Sequence, residues 1–162
     1  MIAEIMSKMI DYVHGSHKDI NHFQKVWCFA KTIGELEGLD ANTQTVLETA
    51  AIVHDIACTS LRERTGVCDW KLQEIEGPPM ARELLVDCDL TTEQLERVVY
   101  LVGHHHTMEA IDGIDFQILA EADYLVNAGE SNYSSENIRK TRNGLFKTAS
   151  GIRLLDSIYG GC

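Results

Sequence analysis

Apolar positions along the chain recur at intervals of three and four residues, the spacing that lines one face of a helix, and no run shows the alternation of a half-buried strand. A first amphipathic stretch covers Ile2 to Val13. Ser16 followed by Asp19 resembles a capping-box start, and Phe23, Val26, Ala30 and Ile33 continue the period up to Gly38. Asp40 is placed to cap a third helix over Ala41 to Ala57, with Val46, Ala50, Val53 and Ala57 on one face. Cys58 to Asp69, rich in charged and small residues, is expected to be a loop. Trp70 to Glu76 and Met80 to Val86 read as one helical region interrupted or bent at Gly77-Pro78-Pro79, because proline lacks a donor and restricts the residue before it. Thr91 with Gln94 opens a helix to about His106, Asp115 caps one through about Ala128, Ser135 caps the next, and Ile152 to Tyr159 closes the pattern. Without a repeat or a long linker, the expectation is an all-α, compact multi-helix bundle forming one domain over 1–162.

Composition narrows the chemistry. A chain of 162 residues, 44% hydrophobic, is long enough to bury one substantial core. Fourteen Lys and Arg against 25 Asp and Glu give a net charge of -11, which argues against an extended nucleic-acid or polyphosphate surface. A small anionic substrate would therefore need a local cation. The five cysteines, Cys28, Cys58, Cys68, Cys88 and Cys162, are odd in number and form no CxxC pair, so ordinary reduced thiols are expected. Charged residues break every apolar run, and the start MIAEIMSKMIDYVHG lacks the basic head and apolar centre of a signal peptide. The expectation is a cytoplasmic protein with no membrane partner; nothing in the sequence sets an oligomeric state.

The candidate chemistry lies on the inward faces. His22 shares a helical line with Val26, Phe29 and Ile33, although an inward histidine taken alone is more often a hydrogen-bonded core residue than a ligand. His54 follows Leu47 and Ala51, and its neighbour Asp55 adds a carboxylate near the helix end. Side chains of adjacent helical residues diverge by about 100°, and an ion off the helix end could reconcile them, whereas an isolated His-Asp pair more often just begins a turn. Asp123 falls on an apolar face with Phe116, Leu119, Ala120 and Val126, where a carboxylate is costly unless paired or coordinated. A salt bridge would satisfy it too, but for four N/O donors on three inward faces a mixed imidazole–carboxylate metal site is the better account. Of the GHHHT histidines, His105 continues an inward line from Val98, Leu101 and Val102, His104 lies toward Tyr100, and His106 is expected to face solvent.

The H-x3-V run at His22–Val26, the apolar run ending AAIVHDIA and the segment EADYLVN around Asp123 resemble the HD superfamily of metal-dependent phosphohydrolases, from about His22 to Val126. The resemblance implies that His22, His54, Asp55 and Asp123 hold a divalent ion (Fe, Mn, Co, Ni, Zn or Mg). It also implies that Asp55 orients water, and that His104 or His105 binds a second metal or contacts the scissile phosphate. Binuclear relatives often carry a histidine where this chain has Gln73, ahead of Gly77 and Ala81. The glutamine, with only Glu74 or Glu76 to compensate, implies one tight ion and a weaker second. The implied substrate is a phosphate ester or anhydride of a nucleotide or another small phosphorylated metabolite. Lys71, Arg62, Arg64 and the remoter Lys147 are flanking cations more in keeping with solvated surface charge. Two rivals stand beside this reading: a di-iron oxygenase of the same fold, disfavoured by Gln73, and a non-catalytic ligand-binding module.

Overall fold

The computed structural model describes residues 1–160, which form helices and, among the described residues, no strand. The helices are α1 (Ile2–Tyr12), α2 (His17–Leu36), α3 (Ala41–Val53), α4 (Cys58–Thr65), α5 (Trp70–Leu85), α6 (Thr92–Val102), α7 (Ile114–Glu130), α8 (Ser135–Gly144) and α9 (Ala149–Tyr159), with a 3-10 turn at Met108–Ala110 before α7. The all-α expectation holds.

The sequence makes α3 the centre of the bundle. Every residue from Val46 to Val53 is buried, so its second half has no solvent stripe. Helices α2 and α7 pack against α3 and against each other, while α1 and α6 cover its remaining sides. The small Ala50 and Ala51 leave room for that approach, and Phe23, Val26 and Ile33 of α2 and Phe116, Leu119 and Leu125 of α7 fill it. Each large side chain so buried stabilises the fold by about 1.5–3 kcal/mol. On the other flank α5 lies close on α6: a Cβ at Gly77 would stand 2.9 Å from Val102 Cγ1. That close approach carries Gln73, one turn earlier on α5, toward the turn that follows α6.

Local chemistry explains most boundaries. Asp40 caps α3 through the N–H groups of Asn42 and Thr43, and Thr91 with Gln94 forms the expected capping box on α6. Elsewhere the pattern misleads. Cys58 to Asp69 is not a loop, because Cys58–Thr65 forms α4, ended by Gly66 in the left-handed conformation. Helix α5 runs unbroken through Pro78 and Pro79; Gly77 has no Cβ to clash with the proline ring that follows it. The helix ends at Val53 and Val102 come before the expected Ala57 and His106. Asp115 lies inside α7, capped by Gly113, and its carboxylate pairs with Arg97 at 2.7 Å; α8 is capped by Ser134 rather than Ser135. Ser16 caps nothing with its side chain, since its hydroxyl donates to Asp19 Oδ2 at 2.6 Å.

The cysteines also depart from expectation. Cys58 and Cys68 form a disulfide, Cα–Cα 5.1 Å, that ties the start of α4 to the residues before α5. Cys28 and Cys88 are free, and Cys162 lies outside the described residues. No helix among the described residues is long and apolar enough to cross a membrane.

Candidate metal centre

Five segments meet at one end of the bundle. Helix α2 brings His22, the turn after α3 brings His54 and Asp55, α7 brings Asp123, the turn after α6 brings His105 and His106, and α5 brings Gln73. His22 Nε2 lies 3.5 Å from Asp55 Oδ2 and 3.2 Å from Asp123 Oδ1, and His54 Nε2 lies 3.6 and 3.5 Å from the same two oxygens. His105 Nε2 lies 3.4 Å from Asp55 Oδ1. The four sequence-predicted metal ligands are therefore brought together, with His105 beside them.

The imidazoles are oriented from behind. His54 Nδ1 is 3.0 Å from the Ala51 carbonyl and His105 Nδ1 is 2.9 Å from the Val102 carbonyl, so in each ring Nδ1–H donates backward and the Nε2 lone pair faces the cluster. His22 Nδ1 lies 3.0 Å from Glu130 Oε2, a carboxylate–histidine contact of the kind that steadies metal ligands. Asn127 donates to Asp123 Oδ1 at 2.8 Å. Even so, the buried Nε2 atoms of His22, His54 and His105 have no hydrogen-bond partner, although carboxylate oxygens stand within ion-pair reach. The contacts are close but off the hydrogen-bond line, and such orphaned buried groups call for an explanation.

A divalent ion held there would supply it. Donors about 2.1 Å from one centre stand about 3.0 Å apart at right angles and about 3.4 Å apart in a tetrahedron, close to the spacings here. The donors fall into two sets, His22–His54–Asp123 and Asp55–His105–His106, each with ligand atoms within 4.8 Å of one another. Asp55 turns Oδ2 to the first set and Oδ1 to the second, so its carboxylate stands between the two. The electrostatics point the same way. Burial pushes the His22 imidazole down, but Asp123, Asp55 and Glu130 outweigh it and raise its pKa to about 9. His105 is raised as well, its burial outweighed by Asp55, and both site aspartates are held low by the imidazoles despite burial. A field that retains protons on imidazoles favours a cation in their place.

Two of the three clustered histidines behave otherwise than expected. His104 is not brought to the centre: its ring stacks on Tyr100 with centroids 4.2 Å apart, and its Nδ1 meets the Tyr100 carbonyl. His106, expected to face solvent, turns inward, its Nε2 3.4 Å from Gln73 Oε1 and its ring 4.0 Å from that of His105. Burial lowers the His106 pKa to about 4, which leaves a neutral ring and a free lone pair. Glu74 is not a compensating ligand, since it accepts from the His106 N–H and the Thr107 hydroxyl, and Glu76 pairs with Arg64.

Above the cluster lies a polar cavity of about 220 Å³, lined by His22, Asp55, Asp123, His106 and Gln73 and, at its rim, by Lys18, Arg62, Asn127, Glu130 and Ser131. Arg62 pairs there with Asp19, which also accepts from Ser16 and Thr59. Lys71 instead lies over the Trp70 ring. A larger, more apolar groove of about 740 Å³ beside Tyr124 and Leu145 holds Lys147 but no histidine or carboxylate. Sequence reasoning missed Glu130, Asn127 and Lys18. The signal was present: Asp123, Asn127 and Glu130 follow one line at i, i+4 and i+7, and Lys18 precedes His22 by four.

A family model described as the HD domain matches residues 19–128, which span all of these ligands. No curated protein and no solved structure matches the chain.

Proposed function

The chain belongs to the HD domain family, a superfamily of metal-dependent hydrolases, and from that premise we propose that it hydrolyses a phosphate ester or anhydride of a small metabolite. The observation that carries the reading is the set of three buried imidazole Nε2 atoms without hydrogen-bond partners, aimed at two carboxylates in the floor of a polar cavity. His22, His54 and Asp123, with Asp55 beside them, would hold one tight divalent ion, and Asp55, His105 and His106 would offer a weaker second place. When bound, such an ion polarises a phosphoryl oxygen and lowers the pKa of water.

The chain's own residues do the rest. Asp55 orients the attacking water, whose oxygen forms the new P–O bond as the bond to the leaving oxygen breaks. With the second place empty, His105 takes the water's proton on its Nε2 lone pair and passes it toward the leaving oxygen. His104, turned away against Tyr100, takes no part. One domain carries the whole site.

Phosphate release from a panel of phosphorylated metabolites tests this, with metal-loaded protein and Asp55→Ala compared. The variant is expected to lose release while keeping its helical circular dichroism, because the change removes a ligand and no packed hydrophobe. Unchanged turnover in the metal-replete variant defeats the assignment. The shared Asp55 favours one rival: two tightly held irons with oxygen consumption and no phosphate release would point to an oxygenase.

A further inference from the structure

Resting on the hydrolase reading, the cavity's lining narrows the substrate. We infer that the site takes the monophosphate of a small polyhydroxylated metabolite and not a nucleotide, with Lys18 anchoring the phosphate at the cavity mouth.

Size, lining and charge each bear on this. At about 220 Å³ the cavity is smaller than the roughly 300 Å³ at which pockets for drug-sized ligands begin. Its lining includes no Phe, Tyr, Trp, Leu, Ile or Val, and its two imidazoles belong to the ligand sets. A nucleobase held by protein is commonly stacked on an aromatic face, at about 1–3 kcal/mol per base. The nearby Trp70 does not line the cavity: its ring meets that of His106 at 70°, centroids 6.4 Å apart, and carries the Lys71 ammonium 5.3 Å over it. The lining instead presents Asn127, Ser131, Gln73 and Glu130, groups that exchange hydrogen bonds with hydroxyls.

Charge sets the phosphate count. The lining carries Asp19, Asp55, Asp123 and Glu130 against Lys18 and Arg62. Arg62 is taken by Asp19, whereas Lys18 is exposed and has no ion-pair partner among the described residues. Lys18 stands one helical turn before His22, so its ammonium and the ligand cluster open on the same cavity. One free ammonium and a divalent ion match a single phosphate dianion, and a di- or triphosphate would meet the surplus carboxylates.

The test is calorimetric binding to the manganese-loaded full chain, with phosphate release recorded in parallel. Glycerol 1-phosphate is expected to bind at least about tenfold more tightly than adenosine 5′-monophosphate. Lys18→Ala should weaken glycerol 1-phosphate and inorganic phosphate by about tenfold, the lower end for a charge-assisted hydrogen bond, with metal content unchanged. Lys18→Arg should recover most of that loss. Equal or tighter binding of the nucleotide, no binding of glycerol 1-phosphate, or no effect of Lys18→Ala overturns the inference. Selective binding without phosphate release would retire the hydrolase reading and leave the ligand class standing, whereas release from the nucleotide alone would do the reverse.

Discussion

Breaking the Cys58–Cys68 bridge should lower stability and loosen substrate binding while sparing the metal. The bridge spans a sequence separation of 10, for which loop-closure entropy gives about 9 cal/mol/K, or about 2.7 kcal/mol at 25 °C. For a chain of 162 residues, at about 2–4 °C per kcal/mol, the thermal midpoint should fall by about 5–11 °C. The loop it closes contains α4 and Arg62 and ends shortly before Gln73, whereas His22, His54, Asp55, His105 and Asp123 all lie outside it. Metal retention after dialysis should therefore match that of the oxidised protein, and affinity for a phosphate probe should drop. Scanning calorimetry of oxidised protein, protein reduced with dithiothreitol, and the Cys58→Ala/Cys68→Ala double variant reads the first effect. An unchanged midpoint with thiol titration showing the bridge broken would refute the entropy argument. Loss of the ion on reduction would refute the claim that the ligand cluster stands independently of α4.

Metal analysis after dialysis without substrate should find about one equivalent in the native protein and more in Gln73→His, which adds an imidazole beside His106; two retained native ions would refute this. Glu121 is fully buried, its carboxylate accepting from the Lys147 and Thr148 N–H groups and the Thr148 hydroxyl. Glu121→Ala leaves those donors unpaired at about 1–3 kcal/mol each, so urea unfolding should show a loss of about 3 kcal/mol or more, with metal content intact. Burial pushes Asp19 up, but Ser16, Thr59 and Arg62 outweigh it and hold its carboxyl below the usual range. A carboxylate held low adds stability above its unfolded pKa of about 3.9 and loses it as pH falls through the folded value. Asp19→Asn should therefore cost most at neutral pH, and a cost that does not shrink in acid would count against this.

The helices were legible because burial and periodicity are the same fact along a central element such as α3, where Ala50, Ala51 and Val53 mark a surface that must face other helices. Helix α4 was not, because its charged, solvent-facing sequence carries almost no apolar period and its inward contacts come from Cys58 and Leu61. The unbroken α5 was hidden for a different reason. Its two prolines argue for a break, and only the packing of Gly77 on Val102 shows why the chain continues. The disulfide depended on a helix placing two distant thiols side by side, which spacing alone does not reveal.

For the site, ligand identity was legible and ligand aim was not. Periodicity carried α3 on to Ala57 and α6 on to His106, and each overshot the observed end by four residues. Those overshoots hold the chemistry: His54 and Asp55 in one, His105 and His106 in the other. Where each helix stops, a carbonyl three residues back is freed, and His54 and His105 both take it with Nδ1–H. The rings are thereby set with Nε2 toward the cluster, so terminating the helix and orienting the ligand are one event. Continued as regular helix, His104 through His106 would fan out around the axis, as the sequence reading supposed. His104 does lie over Tyr100, as that spacing puts it, but the turn brings His106 in beside His105 instead of leaving it to face solvent. Helix ends are the least certain feature of any pattern-based reading, and here they determine which of three adjacent histidines faces the cluster.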